Sequence, residues 1–262
     1  MQRQTIASLA RGNTFIIAPA PASSGIVVNG IRAHPSKIIH YDHRIDIRDN
    51  ANVALIIEHP VAMATIFGIH DAAITGCRET WDFYRAADRE ASARNLTPAS
   101  VLGLADGSIG SDIATQLESA KMTITDVPLD LYTVAGPVSL QVDGRNSVAI
   151  QPAKPGELVL DISVKLFDLG PVHAILDPAK GLIDDAGSAD FRSRVARART
   201  SAVIGLGEEA LLHALGDVAG DIAGTGLIRC GKVEATLGMA YHKATIGLVR
   251  HVHVNNWLKK VQ

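Results

Sequence analysis

Two distant stretches of this chain resemble each other, and that repeat limits the folds open to it more than any other feature. Residues 13–20 read Asn-Thr-Phe-Ile-Ile-Ala-Pro-Ala, and residues 146–153 read Asn-Ser-Val-Ala-Ile-Gln-Pro-Ala. After each come a further proline (Pro21, Pro155), a glycine (Gly25, Gly156) and an apolar β-branched run. Runs of this kind, punctuated by Pro and Gly, predict a strand, a turn and a returning strand in both places. A repeat so widely spaced points to duplicated domains, because solenoid repeats recur at about 20–50 residues. The alternative is coincidence between two hairpins, since Pro-Ala turns are common. We favour duplication.

The boundary between the copies is expected near residues 121–137, KMTITDVPLDLYTVAGP, which hold two prolines and no helical period. This divides the chain into a first domain, 1–125, and a second, 126–262. Each half runs strands first and helices later. In the first, residues 53–57 are β-rich, and Pro60 is suited to the first position of a helix ending near Gly68. Asp106-Gly107 reads as a turn leading into a helix within 104–120. In the second half, Ser188 can cap a helix through FRSRVARAR, and 208–223 forms another helix. Residues 237–257, rich in Val, Ile and His, leave strand and helix unseparated. Strands grouped before helices predict the α+β class, with helices packed on an antiparallel sheet in each of two similar layered domains.

Composition narrows the function. With 47% apolar and 20% charged residues in 262, and a formal net charge of −2, the chain is globular and lacks the basic footprint of a general nucleic-acid binder. Aromatics at 4% make stacking platforms for bases an unpromising basis for function. Cys77 and Cys230 form no CxxC pair, which suits a reducing cytoplasm. Residues 1–12 carry no signal-like apolar region. Glu58 and His59 interrupt the longest apolar stretch, so no transmembrane segment is expected.

The sharpest local feature is His213-Ala-Leu-Gly-Asp217-Val-Ala-Gly-Asp221. Spacings of four place His213, Asp217 and Asp221 on one helical face, where a His and a carboxylate can point at one cation. A hydrogen-bonded His–Asp pair is the plainer account of the same spacing. The two glycines each cost a helix about 1 kcal/mol, so close approach to a metal or a neighbouring backbone should compensate. Glu58-His59, where an apolar strand gives way to a helix, is the second feature. Such charged groups are paired or functional, or form an ordinary helix cap with a solvated glutamate. A hydrolytic zinc site needs three protein ligands, an open position and a nearby carboxylate. His59, His213 and Asp217 would complete the ligands, and Glu58 would be the base.

Other residues have blander accounts. His34, His40 and His43 fall in a polar loop, and His251 and His253 would line a strand face. His242 is either an acid or oxyanion partner or, more commonly for such a residue, an exposed strand histidine. Arg192, Arg194, Arg197 and Arg199 form either a phosphate patch or the wet side of a helix.

Six collinear places resemble the UDP-3-O-acyl-N-acetylglucosamine deacetylases, zinc amidases of bacterial lipid A synthesis. Residues 19–25, Pro-Ala-Pro-Ala-Ser-Ser-Gly, resemble that family's early hairpin, and Glu58-His59 its Glu-His-Leu motif. Asp106-Gly-Ser108 resembles its Asp-Gly-Ser turn, and Arg197-Ala-Arg-Thr200 its Arg-Ala-Arg-Thr. His213 through Asp221 resembles its His-Lys-x-x-Asp-x-x-Gly-Asp helix, and His242 falls where a late catalytic histidine belongs.

The resemblance implies two similar layered domains with the site between them, and zinc, with Fe(II) the alternative ion, held by His59, His213 and Asp217. Glu58 would activate the attacking water, the Thr200 hydroxyl would stabilise the oxyanion, and His242, oriented by Asp221, would serve the leaving amine. Departures matter too. Ala214 stands where the family has a lysine, Ser201 where it has phenylalanine, and Ala10 where it has an early histidine. Only twelve residues separate Thr200 from His213. The family carries there a βαβ unit forming the acyl-chain passage, and such a unit needs roughly 30 residues. The expectation is therefore a cytoplasmic zinc-dependent N-deacetylase acting on a smaller N-acetylated amino sugar or its conjugate. The alternatives are a pared-down lipid A enzyme and a non-catalytic ligand-binding homologue.

Overall fold

The computed structural model describes residues 4–6, 15–21, 24–42, 44–54, 57–76, 130–200, 207–238 and 241–261. The first half carries strands β1 (Gln4–Ile6), β2 (Phe15–Pro19), β3 (Ile26–Val28), β4 (Ile31–Arg32), β5 (Ile38–His40), β6 (Asp46–Asp49) and β7 (Asn52–Ala54). Helix α1 (Glu58–Ile66) and strand β8 (Ala72–Gly76) follow. The second half opens with β9 (Tyr132–Val134), β10 (Val138–Val142), β11 (Asn146–Gln151), β12 (Leu160–Leu166), β13 (Leu169–Asp177) and β14 (Gly181–Ile183). Then come helices α2 (Ala189–Thr200) and α3 (Glu208–Ala219), the latter running into a π-helical turn over Gly220–Thr225. Strand β15 (Gly231–Leu237), helix α4 (Tyr241–Val254) and strand β16 (Leu258–Lys260) complete it. Helices and sheets together make an α+β fold.

The two principal sheets share one plan. The first is ordered β1-β2-β8-β3-β4 and the second β10-β11-β15-β12-β13-β14. In each, the two strands of the sequence repeat are separated by a strand that arrives later. β8 lies antiparallel to β2 and parallel to β3. β15 lies antiparallel to β11 and parallel to β12. Outside these triplets the neighbours are antiparallel in both sheets. The expected hairpins are thus corrected: strand, turn and second strand are present, but a central strand fills the gap between them. It is parallel to one neighbour because a helix-bearing crossover delivers it, which a tight turn cannot do. Gly25 and Gly156, at φ +70° and +81°, make the matching turns.

Strand β15 alternates buried and exposed residues throughout, and β12 nearly so, as a sheet wet on one side requires. Their inward residues, among them Ile162, Val164, Val233 and Leu237, face helices: α3 rests on β12 and β13, and α4 on β10 and β11. One contiguous apolar core runs from Ile26 and Val28 in the first half to Leu248 and Val252 in the second. β5, β6 and β7 form a separate antiparallel sheet, and β16 pairs with β9.

Helix α1 begins two residues before the expected start, so Glu58 and His59 lie in its first turn and Pro60 comes third. Backbone N–H groups in the first turn have no helical partner, so a proline costs nothing there. Gly68, at φ +72°, ends the segment as expected. The Ser188 hydroxyl accepts the Asp190 N–H at 3.2 Å, capping α2. Residues 237–257 divide into the end of β15 and all of α4, so His251 and His253 lie on a helix. The helix expected within 104–120, the Asp106-Gly-Ser108 turn, and residues 121–129 of the expected boundary lie outside the described residues. Among those described, no helix is long and apolar enough to cross a membrane.

Candidate active site

Gly216, Gly220 and Gly224 recur at every fourth residue along α3 and its π-helical continuation. A Cβ on Gly220 would stand 2.8 Å from both Cα and Cβ of Ala62 in α1, and one on Gly224 would stand 2.6 Å from Cγ1 of Val61. Helix α1 therefore crosses the end of α3 at backbone contact, which supplies the compensation that helical glycines require. The crossing brings the first turn of α1 to the face of α3 that carries His213 and Asp217.

Eight buried polar side chains gather there: Glu58 and His59 from α1, Arg199 from α2, His213 and Asp217 from α3, Asp221 from the π-helical turn, and His242 and Thr245 from α4. Every one is at most 8% exposed. His213, Asp217 and Asp221 share a face as their spacing predicted, and His59 joins them from the other half of the sequence.

Arg199 is the hub. Its Nη1 donates to His213 Nε2 at 2.9 Å and to Asp217 Oδ1, and its Nη2 donates to His59 Nδ1 at 3.1 Å. A guanidinium only donates, so both imidazole nitrogens must accept, and both rings are held neutral. His213 then carries its proton on Nδ1 and donates it to the Ala198 carbonyl at 3.1 Å. Burial, reinforced by the Arg199 charge, holds His59 well below the ordinary imidazole value and His213 down to about 4. Burial would raise Asp217, yet the charge of Arg199 beside it keeps its carboxyl below the ordinary range.

Glu58 and His242 flank this centre in complementary states. Burial pushes Glu58 up to about 7, although its Oε2 accepts the Ile45 N–H at 2.8 Å. For His242, burial would lower the pKa, but Asp221 and Asp217 carry it up to about 9. Its Nδ1 donates to Asp221 Oδ2 at 2.9 Å, and its Nε2 stands 3.8 Å from Asp217 Oδ1. The Thr245 hydroxyl donates to the same Asp221 oxygen at 2.5 Å. A carboxyl near 7 and an imidazole near 9, buried together, can respectively take up and deliver a proton at neutral pH.

Two imidazoles and a carboxylate, with lone pairs aimed at a common positive centre, match zinc in donor chemistry. Their present spacing suits the guanidinium. The rings of His59 and His213 are 6.5 Å apart between centroids, whereas two imidazoles on one zinc would sit about 5 Å apart. Among the described residues, no three His, Cys, Asp or Glu side chains stand at the spacing of a metal shell.

The sequence did not single out Thr245 or the Ile45 N–H, and it assigned Arg199 to a surface patch. Arg194 and Arg192 do lie near the surface, the first paired with Glu208 and the second donating to the Lys180 carbonyl at 2.9 Å. Arg199 does not: it is 1% exposed. Phe191, Val195 and Ala198 mark the buried face of α2, and Arg199 falls on it by helical spacing. That periodicity was the available signal. Thr200 ends α2, but its side chain lies outside the described residues. No family model matches the chain, and no curated protein matches it either.

Proposed function

We propose that this chain is a zinc-dependent N-deacetylase that hydrolyses the amide of a small N-acetylated amino sugar or its conjugate. One observation carries the proposal: neutral His59 and His213 and the Asp217 carboxylate converge on one cationic centre, with a buried base and a buried acid beside it. His59, His213 and Asp217 would hold the ion, which when bound supplies Lewis acidity to water and to the amide carbonyl. Glu58 takes a proton from the water as its oxygen adds to the acyl carbon. His242, kept cationic and oriented by Asp221, gives its proton to the nitrogen as the C–N bond breaks. Acetate and a free amine result. The short connection between α2 and α3 favours a substrate without a long acyl chain.

A second reading, a scaffold retained without chemistry, is favoured by the Arg199 guanidinium standing among the ligand atoms. Metal content and acetate release, measured together on N-acetylglucosamine, its UDP conjugate and the 3-O-acylated UDP conjugate, separate the readings. The proposal expects about one zinc per chain and release from the non-acylated compounds. Release from the acylated compound alone would make this a lipid A type enzyme, and neither metal nor release would leave the scaffold. Glu58→Gln should keep zinc while turnover falls about 10²–10⁴-fold. Undiminished turnover would remove Glu58 from the mechanism.

A further inference from the structure

Arg199 is placed as a cation for this site would be, and its lodging shows signs of being built. Three acceptor atoms, His59 Nδ1, His213 Nε2 and Asp217 Oδ1, receive its Nη hydrogens, and these belong to the three residues assigned as ligands above. The aliphatic stem reaches them across Gly216. A Cβ there would stand 2.7 Å from Arg199 Cδ and 3.0 Å from Cγ, so any larger residue at this position would crowd the stem. The lodging is also incomplete, because the buried Arg199 Nε has no hydrogen-bond partner. A guanidinium is well suited to such a place. It is a flat, permanently charged group with several donors, and it holds acceptors apart in a fixed fork.

We propose that Arg199 is a displaceable internal cation. It fills and orients the ligand cluster in the metal-free chain, and a divalent ion binds only by expelling it. The inference rests on reading His59, His213 and Asp217 as a metal centre. Cationic His242, 3.8 Å from Asp217 Oδ1, is already hydrogen-bonded to Asp221, so the side of Asp217 that faces the two imidazole lone pairs needs a positive group of its own in the metal-free fold. The same group competes with the ion. Apparent metal affinity is reduced by the fraction of chains whose site is free of Arg199, which sets a threshold of metal concentration below which the enzyme stays closed. On metal uptake, His59 and His213 must draw together from their 6.5 Å separation as the guanidinium leaves.

The test compares the full chain, stripped of metal, with its Arg199→Met variant, which keeps an unbranched stem across Gly216. Zinc affinity is measured by competition with a chromophoric chelator. The expected result is at least about tenfold tighter binding by the variant, with the same one-to-one stoichiometry. In the metal-free state the variant should unfold at a lower temperature than the unsubstituted chain, and zinc should restore it. Should Arg199→Met fail to fold, the side-chain ¹⁵N spectrum of the unsubstituted chain decides the matter. A slowly exchanging guanidinium signal should be present without metal and lose its protection as zinc is added. Equal zinc affinity of the two chains, or a guanidinium signal unmoved by bound zinc, would overturn the internal cation while leaving the metal centre standing. Failure of both chains to bind zinc would overturn the metal centre and this inference with it.

Discussion

Gly220→Ala tests the crossing on which the whole site depends. Gly220 has ordinary helical angles, φ −62° and ψ −45°, so alanine meets no backbone strain there. The cost comes from contact alone: the new Cβ would lie 2.8 Å from Cα and Cβ of Ala62 and 3.1 Å from its backbone nitrogen. Carbon atoms pack best at about 3.5–4.0 Å, so α1 must retreat by about 1 Å, since none of the blocking atoms can rotate away. Overpacking of this kind costs about 1–3 kcal/mol, and the gain in helix propensity returns about 1 kcal/mol. The net loss is up to about 2 kcal/mol, or a fall in Tm of up to about 4–8 °C for a chain of this size. Function should suffer more than stability. A shift of about 1 Å carries Glu58 and His59 away from α3 and can cost a further 10²-fold in turnover. Thermal unfolding by circular dichroism, run beside zinc uptake and acetate release, reads both effects. Gly144→Ala is the control, because nothing lies within 4 Å of a Cβ there. If Gly220→Ala were more stable than the unsubstituted chain by the full helix-propensity gain of about 1 kcal/mol, α1 and α3 would not touch as described.

Two predictions concern pH. Protonated Glu58, its carboxyl raised by burial, can take up no proton, and deprotonated His242, its imidazole raised by Asp221 and Asp217, has none to deliver. So kcat/KM should follow a bell whose acid limb belongs to Glu58 and whose alkaline limb belongs to His242. A profile flat from pH 6 to 10 would remove both from proton transfer. Asp221→Asn takes away a carboxylate that raises His242, so the alkaline limb should move down by about one unit or more, measured as activity against pH or as the imidazole's own NMR titration. An unmoved limb would show that Asp221 does not set the histidine's charge.

Much of this centre is legible in the sequence because its parts are local. The four-residue spacing of His213, Asp217 and Asp221 survives into the structure because a helix fixes which residues share a face. The demand that the helical glycines be compensated is met by Ala62 at Gly220 and by the Arg199 stem at Gly216. Pairing between distant strands left no such mark. Each repeat reads as a hairpin, and nothing local to residues 13–28 or 146–166 says that a later strand will part it. Helix α4 hid behind its Val, Ile and Thr content, although Ala244, Leu248 and Val252 recur at every fourth position and are buried, with Lys243 and His251 outside. Arg199 was misplaced for a related reason. Its charge argued for solvent, while its position argued for the core, and only the partners supplied by α1 and α3 resolve that conflict.

The insertion of β8 and β15 into the middle of their sheets also governs when the molecule can form. While the ribosome is still short of Gly231, the β10–β11 pair and the β12–β13–β14 group have no shared border, and each presents a bare flank of N–H and C=O groups. His213, Asp217 and Asp221 have by then been made, but the sheet beneath α3 has not been joined, and His242 is still to come. The nascent chain therefore passes through synthesis with open edges that another chain could capture. The second sheet closes only once Gly231–Leu237 has been made, and His242 arrives almost together with the strand that completes it.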